Sequence, residues 1–314
     1  MKADLKEVTN SNCHKQCNKD KRRKTTTDDL CNQTVSEIDG LPVRCVGEWA
    51  MEKIYHLIQY FGIFSTGMKY KWDGKINYIE ICSGPGRCIN RSLGIEFNGT
   101  SLCVLEHPAL KYLNKALFFD YNSKVVESLN TRIEVKKIPN AKAIIGDYFN
   151  AKAICNNIKN EITTNGLNLI FIDPTDCSLP FDLIKELKAK LSNADLIINI
   201  AIGTDYTRNI KKAILDPDSN AGSYEKYSRF IDNDVFFNSD VIRELARSNA
   251  DKELRLAFRA EYVNSLKKLG YKYFDFKHIR NYYDLIFATS HPKGIEFWEK
   301  ANKIQHDGQR TLNF

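Results

Sequence analysis

No stretch of this chain is apolar over the ~18 residues that a membrane-crossing helix needs, and Met1-Lys2-Ala3-Asp4-Leu5 opens no signal-peptide pattern. Membrane insertion and secretion are therefore not expected, and a cytoplasmic location is. Cysteine is absent from the second part of the chain: all nine stand at or before Cys177. Several lie inside apparent strands and turns, which argues for reduced thiols and against a disulfide framework. Internal repeats and low-complexity tracts are missing too. A large excess of one charge is also lacking, and a net charge of +7 permits a nucleic-acid partner without requiring one. What remains is 314 residues, 43% hydrophobic and 27% charged, enough for a sizeable core in one large or two modest domains.

Residues 1–40 differ from the rest. Lys15, Lys19, Lys21, Arg22, Arg23 and Lys24 stand among polar residues with almost nothing apolar to bury, the pattern of a basic, poorly packed arm. Cys13, Cys17 and Cys31, with His14 and Cys45 nearby, offer a zinc site of three or four ligands. The alternative is unliganded cysteines, since the C-x3-C spacing has no matching second pair. From Gly47 the spacing of Trp49, Ile54, Leu57, Ile58 and Phe61 predicts a helix. Strands are predicted over Ile76 to Cys82, Ala116 to Phe119, Ala143 to Ile145, Leu167 to Ile172 and Ala194 to Ala201. Helices are predicted between them over Ser123 to Leu129, Ile154 to Glu161 and Pro180 to Leu191. Such alternation makes an α/β core with a mostly parallel, Rossmann-like sheet over residues 41–202. Residues 203–260, polar and without a strand-helix rhythm, read as an inserted lid or recognition segment. Residues 261–314 close the core with a helix over Tyr262 to Leu269, a terminal antiparallel hairpin (Tyr271 to His278, Tyr282 to Thr289) and a last helix.

The candidate chemistry starts at Tyr78-Ile79-Glu80-Ile81-Cys82-Ser83-Gly84-Pro85-Gly86-Arg87, an apolar strand entering a glycine turn with a helix expected just after it. Gly84 and Gly86 let the backbone turn sharply beside a ligand at the strand's carboxyl end, and later strands end in Asp120, Asp147 and Asp173, where such a sheet presents ligand-facing residues. A parallel sheet finished by a hairpin is the organisation of class I S-adenosylmethionine-dependent methyltransferases. In that reading Glu80, Ser83, Gly84 and Gly86 cradle the methionine part of the cofactor, Asp120 accepts the ribose hydroxyls and Asp147 meets the adenine amino group. The bland alternatives are a packing turn, a helix N-cap and an exposed turn aspartate. Asp173-Pro174-Thr175-Asp176 resembles the Asp/Asn-Pro-Pro-aromatic turn of amino methyltransferases, and more closely the Asp-Pro-Phe-Gly-Ser turn of tRNA guanine-N2 methyltransferases. Those turns hold an exocyclic amine toward the methyl group, so their contribution is chiefly positioning. Thr175 stands where the aromatic is expected, and Phe181 or Tyr206 is the candidate replacement. Arg208 and Asn209, after a buried strand, are candidates for binding substrate phosphate or a base edge, against a solvated helix start.

Leu41-Pro42-Val43-Arg44 with Val46-Gly47-Glu48-Trp49-Ala50, Ile81 to Arg87, Ile172-Asp173-Pro174 with Leu179-Pro180-Phe181, Ile198-Asn199 with Arg208-Asn209, and Leu285 to Gly294 together resemble the three-Cys-motif partner protein family, from about Leu41 to Trp298. The resemblance implies a class I methyltransferase-like fold, S-adenosylmethionine as cofactor, a radical-S-adenosylmethionine-like partner with a three-cysteine motif, and a mobile-element or phage-defence setting. Besides a nuclease-like effector, for which Asp173 and Asp176 would be the metal-binding carboxylates, two functions are read from these residues. One is methyl transfer to an exocyclic amine of a nucleic-acid base, in tRNA or DNA. The other is a catalytically silent partner subunit that keeps the fold.

Overall fold

The computed structural model describes residues 8–11, 13 and 34–303; the basic run from Lys15 to Lys24, Cys17 and Cys31 lie outside the described residues. Its strands are β1 (Val8–Thr9), β2 (Arg44–Val46), β3 (Ile76–Ile81), β4 (Arg87–Asn90), β5 (Ile95–Asn98), β6 (Lys115–Asp120), β7 (Ala141–Ile145), β8 (Leu167–Ile172), β9 (Ala194–Ile200), β10 (Tyr273–Ile279) and β11 (Tyr283–Thr289). β3, β8 and β9 are buried at every position, as predominantly apolar strands covered on both faces are, with Asn77, Glu80, Asn168, Asp195 and Asn199 buried among the apolar residues. The chain divides into two compact units. The described residues up to Ile76, with Cys82–Ile145 and those from Glu299 onward, form the first; Asn77–Ile81 and Gly146–Trp298 form the second.

In the first unit β6 and β7 pair in parallel, from Ala116↔Ala141 to Asp120↔Ile145. Between them runs helix Ser123–Val135, whose N-terminus is fixed by Asn122 accepting from the Lys124 and Val125 N–H groups. Helix Trp49–Met68 buries Ile54, Leu57, Ile58 and Phe61 at the spacing read from the sequence and adds Phe64 to that stripe, while Trp49 at its start is half-buried. The remaining strands form a four-stranded sheet in the order β1-β5-β4-β2.

That sheet corrects two expectations. The glycine turn is not followed at once by a helix: Arg87–Asn90 pairs antiparallel with Ile95–Asn98, and a helix begins only at Thr100. The physical reason is a buried ion pair, Arg87 Nε to Glu96 Oε2 at 3.1 Å, formed across the two strands. The described part of the expected loose arm, though largely exposed, is anchored at Asn10, Thr34 and Ser36, which are buried. Glu96 is fully buried and draws donors from it: Asn10 Nδ2 at 2.6 Å, Ser36 Oγ at 2.6 Å and the Glu37 N–H at 2.7 Å. A buried carboxylate needs such partners, and they hold both segments in place.

The second unit carries the strand order β10-β11-β9-β8-β3. β8 and β9 are parallel, β11 runs antiparallel to β9, and β10 and β11 make the terminal hairpin from Tyr273↔Thr289 to Ile279↔Tyr283. The fold is thus α/β, with parallel strands closed by an antiparallel hairpin, as read from the sequence. The segment after β9, expected without regular rhythm, is helical: Thr207–Leu215, Ala221–Ile231, Asp240–Arg247 and Asp251–Lys268 follow one another. Their apolar stripes are narrow, such as Tyr206, Ile210, Ala213 and Ile214, or Leu254, Phe258, Tyr262 and Leu266. An aromatic cluster seats them, with Phe230 stacked on Phe258 at 5.9 Å and on Tyr262 at 4.8 Å.

Candidate functional site

In the first unit the glycine turn is built from three residues in the left-handed region: Cys82 at φ +66°, Gly84 at +64° and Gly86 at +99°. Its backbone is pinned to the end of β6, where the Ser83 N–H donates to Phe119 O at 3.0 Å and the Gly84 N–H to Asp120 Oδ2 at 3.1 Å. The other Asp120 oxygen accepts the Asn122 N–H at 3.1 Å. The two glycines do different work. A Cβ on Gly86 would stand 3.1 Å from both Leu102 Cγ and Leu129 Cδ1, so this glycine serves packing. A Cβ on Gly84 would meet only the side chain of Arg44, no nearer than 3.8 Å, so the backbone here borders open space. A carboxylate has about four acceptor sites, and Asp120 spends one on each of two N–H groups, which leaves capacity for ribose hydroxyls. These features fit an adenosine-type ligand lying over Gly84.

Arg132, which the sequence did not single out, holds the turn from behind. Its guanidinium makes a fork with Asp39, Nε to Oδ2 at 2.7 Å and Nη2 to Oδ1 at 2.8 Å, and donates to the carbonyls of Pro42 (2.9 Å) and Pro85. Burial alone would raise the Asp39 pKa, but the Arg132 hydrogen bonds and charge outweigh it and hold the carboxyl below its usual 3.8. Neither residue belongs to a motif; only the apolar spacing of helix Ser123–Val135, which turns Arg132 inward beside Leu129 and Ile133, hints at a buried arginine.

In the second unit Glu80 is fully buried on β3 and accepts from Tyr78 Oη at 2.9 Å. Asp147 is exposed and caps its own turn, accepting the Phe149 N–H at 2.9 Å. Asp173 follows β8, with its N–H on Ile81 O at 3.0 Å, and Pro174 behind it is buried. Asn199, near the end of β9, donates its Nδ2 to Asp173 Oδ1 at 2.8 Å, which fixes the rotation of that carboxylate. The sequence signal for Asn199 is a polar residue near the carboxyl end of a strand whose only other polar residue is Asp195.

The rest of the Asp173 turn is tied down by a buried hub. Asp205, in a single π-helical turn at Ile202–Tyr206, accepts the Cys177 N–H at 2.9 Å, Lys226 Nζ at 2.7 and 2.8 Å, Tyr227 Oη at 3.1 Å and Asn209 Nδ2 at 3.0 Å. Burial raises the Asp205 pKa, but Lys226 and the Cys177 N–H bring it below the ordinary carboxylate value. Burial, with the Asp205 charge second, pushes the Cys177 thiol well up, so it is no nucleophile. Asn209 therefore spends its amide inside the protein, and the side chain of Arg208 lies outside the described residues.

Neither proposed stacking aromatic offers a face. Phe181 packs edge-on against Tyr262 at 5.4 Å, and Tyr206 lies against Phe258 at 4.3 Å with its hydroxyl on Leu254 O; both are buried. Among the described residues no group of three or more His, Cys, Asp or Glu side chains is placed to hold a metal ion. Of the three zinc candidates only Cys13 is described. No described helix is long and apolar enough to cross a membrane.

A glycine turn pinned by the aspartate that ends β6, and an Asp-Pro turn in a unit closed by an antiparallel hairpin, stand at strand ends of an α/β fold, where such sheets present ligand-facing residues. No protein-family model and no curated protein matches the chain. Solved structures similar to it include an rRNA methylase from Streptococcus thermophilus (11% identity, 72% of this chain and 93% of that one, TM-score 0.37). Others are a SAM-dependent methyltransferase from Aquifex aeolicus (12%, 72% and 89%, 0.37) and an O-methyltransferase from Bacillus cereus in complex with SAH (14%, 73% and 79%, 0.38).

Proposed function

We propose that the chain is an S-adenosylmethionine-dependent methyltransferase acting on an exocyclic amine of a nucleic-acid base, in tRNA or DNA. The observation that carries this reading is the glycine turn: Gly84 borders open space while its own N–H is held by Asp120, an acidic residue with acceptor capacity left. Gly84 and Ser83 would bound the amino-acid end of the cofactor and Asp120 its ribose. The cofactor supplies a methyl group on a sulfonium. Asp173, its rotation set by Asn199, accepts a hydrogen bond from the amine N–H and so turns the nitrogen lone pair toward that methyl. In this reading the helices that follow β9 shape the substrate side, the basic residues 15–24 bind phosphates, and a base in a duplex is first flipped out. The resemblance to three-Cys-motif partner proteins suggests a mobile-element or phage-defence setting. Zinc on Cys13, Cys17 and Cys31 belongs to the same proposal.

A second reading is favoured by one observation. Thr175 is exposed where the related turns carry an aromatic ring, and both candidate replacements are buried in the core. On that reading the protein keeps the cofactor turn but serves as a partner subunit of a radical-S-adenosylmethionine-like protein.

Calorimetric titration with S-adenosylmethionine and S-adenosylhomocysteine tests the cofactor turn, with a Gly84→Arg variant that fills it. Binding by the parent and none by the variant is expected; no binding by the parent sinks the proposal. Asp173→Ala should abolish methyl transfer to RNA or DNA while cofactor affinity stays unchanged. Transfer that survives this change removes Asp173 from the chemistry.

A further inference from the structure

Four arginines surround the glycine turn and its small sheet, and three are engaged. Arg87 donates to Glu96 at 3.1 Å and Asn98 at 2.9 Å, Arg132 forks onto Asp39, and Arg91 lies over the Trp49 ring at 5.2 Å. Arg44 has no hydrogen bond, ion pair or ring contact among the described residues, although it is half-buried. It opens β2, in register with Cys88 of β4, and its side chain runs along Gly84, with Cδ 3.8 Å and Nη1 4.0 Å from where a Cβ on Gly84 would stand. A guanidinium drawn partly out of water with no hydrogen-bonded counter-charge among the described residues is unfavourable, so a ligand that supplies one at this turn gains from the contact. Its setting narrows what that partner is. Asp120, which holds the Gly84 N–H, carries negative charge at the same glycine and disfavours a multiply charged anion. A ligand with one carboxylate at one end and hydroxyl groups at the other meets both: the carboxylate matches the planar fork of Arg44, and the hydroxyls match Asp120.

We propose that Arg44 is the anion-binding residue of the glycine turn and takes the α-carboxylate at the amino-acid end of the cofactor. The assignment rests on the cofactor reading above and adds to it the residue that tells an intact amino-acid end from a truncated one.

The test titrates the full chain by calorimetry with two small probes and, separately, with a single-stranded RNA. S-adenosylhomocysteine carries the carboxylate; 5′-methylthioadenosine has the same adenosine and sulfur but no amino-acid end. Loss of one charge-assisted contact should weaken S-adenosylhomocysteine roughly 10- to 100-fold in Arg44→Gln and leave methylthioadenosine within about twofold. Unchanged methylthioadenosine binding also shows that the variant is folded. Arg44→Lys, which keeps the charge but not the fork, should fall between. Equal loss for both probes, or no loss for either, overturns the assignment while the cofactor reading stands. Loss confined to a single-stranded RNA probe overturns it in favour of a phosphate contact. A parent protein that binds neither probe overturns both.

Discussion

Replacing Arg132 by Met tests how the glycine turn is held. The side chain of Arg132 is 4% exposed and makes a two-pronged pair with Asp39, whose side chain is 27% exposed. It also satisfies the carbonyls of Pro42 and Pro85. Breaking a buried pair by removing one partner costs about 3–5 kcal/mol. The lower end, about 3 kcal/mol, applies here because water recovers part of the Asp39 carboxylate once the arginine is gone. Urea denaturation followed by tryptophan fluorescence should show that loss as a lower midpoint with an unchanged slope. A double-mutant cycle with Asp39→Asn should return a coupling of about 1–3 kcal/mol. The pH dependence supplies an independent check. The folded Asp39 pKa lies below its unfolded value, so its stabilisation is present above about pH 4 and is lost as pH falls through the lower folded value. Arg132→Met should lack that part of the acid sensitivity. A loss under about 1 kcal/mol, with the acid limb unchanged, would show that Arg132 does not carry the turn.

Three further outcomes are expected. Cys82→Gly should raise stability by up to about 1 kcal/mol, because Cys82 holds a left-handed φ of +66° that glycine adopts without a Cβ penalty; a lower Tm contradicts this. Gly86→Ala should cost about 1–3 kcal/mol, since the added carbon would press on Leu102 and Leu129 at 3.1 Å in a φ of +99°, and a neutral melting curve refutes the packing role. Asp205→Asn leaves Lys226 partly buried without its counter-ion and should cost about 2–4 kcal/mol. Because the folded Asp205 pKa is lowered, this stabilisation too is present above about pH 4 and lost in acid, so urea midpoints of parent and variant should converge as pH falls. Parallel midpoint curves count against the ion pair.

The large parallel elements were legible because each is fully buried: Leu167–Ile172 and Ala194–Ile200 are predominantly apolar, interrupted only by Asn168, Asp195 and Asn199, and no helix-like spacing competes with them. The small sheet was not, because Arg87–Asn90 and Ile95–Asn98 are short and mix charged with apolar residues. Their strand pairing is fixed by one buried ion pair that no local pattern reveals. The helices after β9 escaped for a related reason: their buried residues stand among many polar ones, and only the packed aromatic cluster shows which residues those stripes face. At the site, Gly84, Asp120 and Asp173 follow from strand ends. Arg132, Asn199 and Asp205 are defined by what they hold, and holding is a relation between distant positions.

Asn10 and Ser36 bond the same side chain, Glu96, and that carboxylate in turn grips the arginine that follows the glycine turn. The choice of where to cut the chain therefore matters. A deletion running inward from Met1 through the basic residues strips β1 and Asn10 from a buried negative charge, and any loss of cofactor binding it produced would be misread as the work of the lysines. Excising residues 14–33 and rejoining Cys13 to Thr34 through a short flexible linker keeps both anchors. Only that version asks what the basic residues themselves contribute.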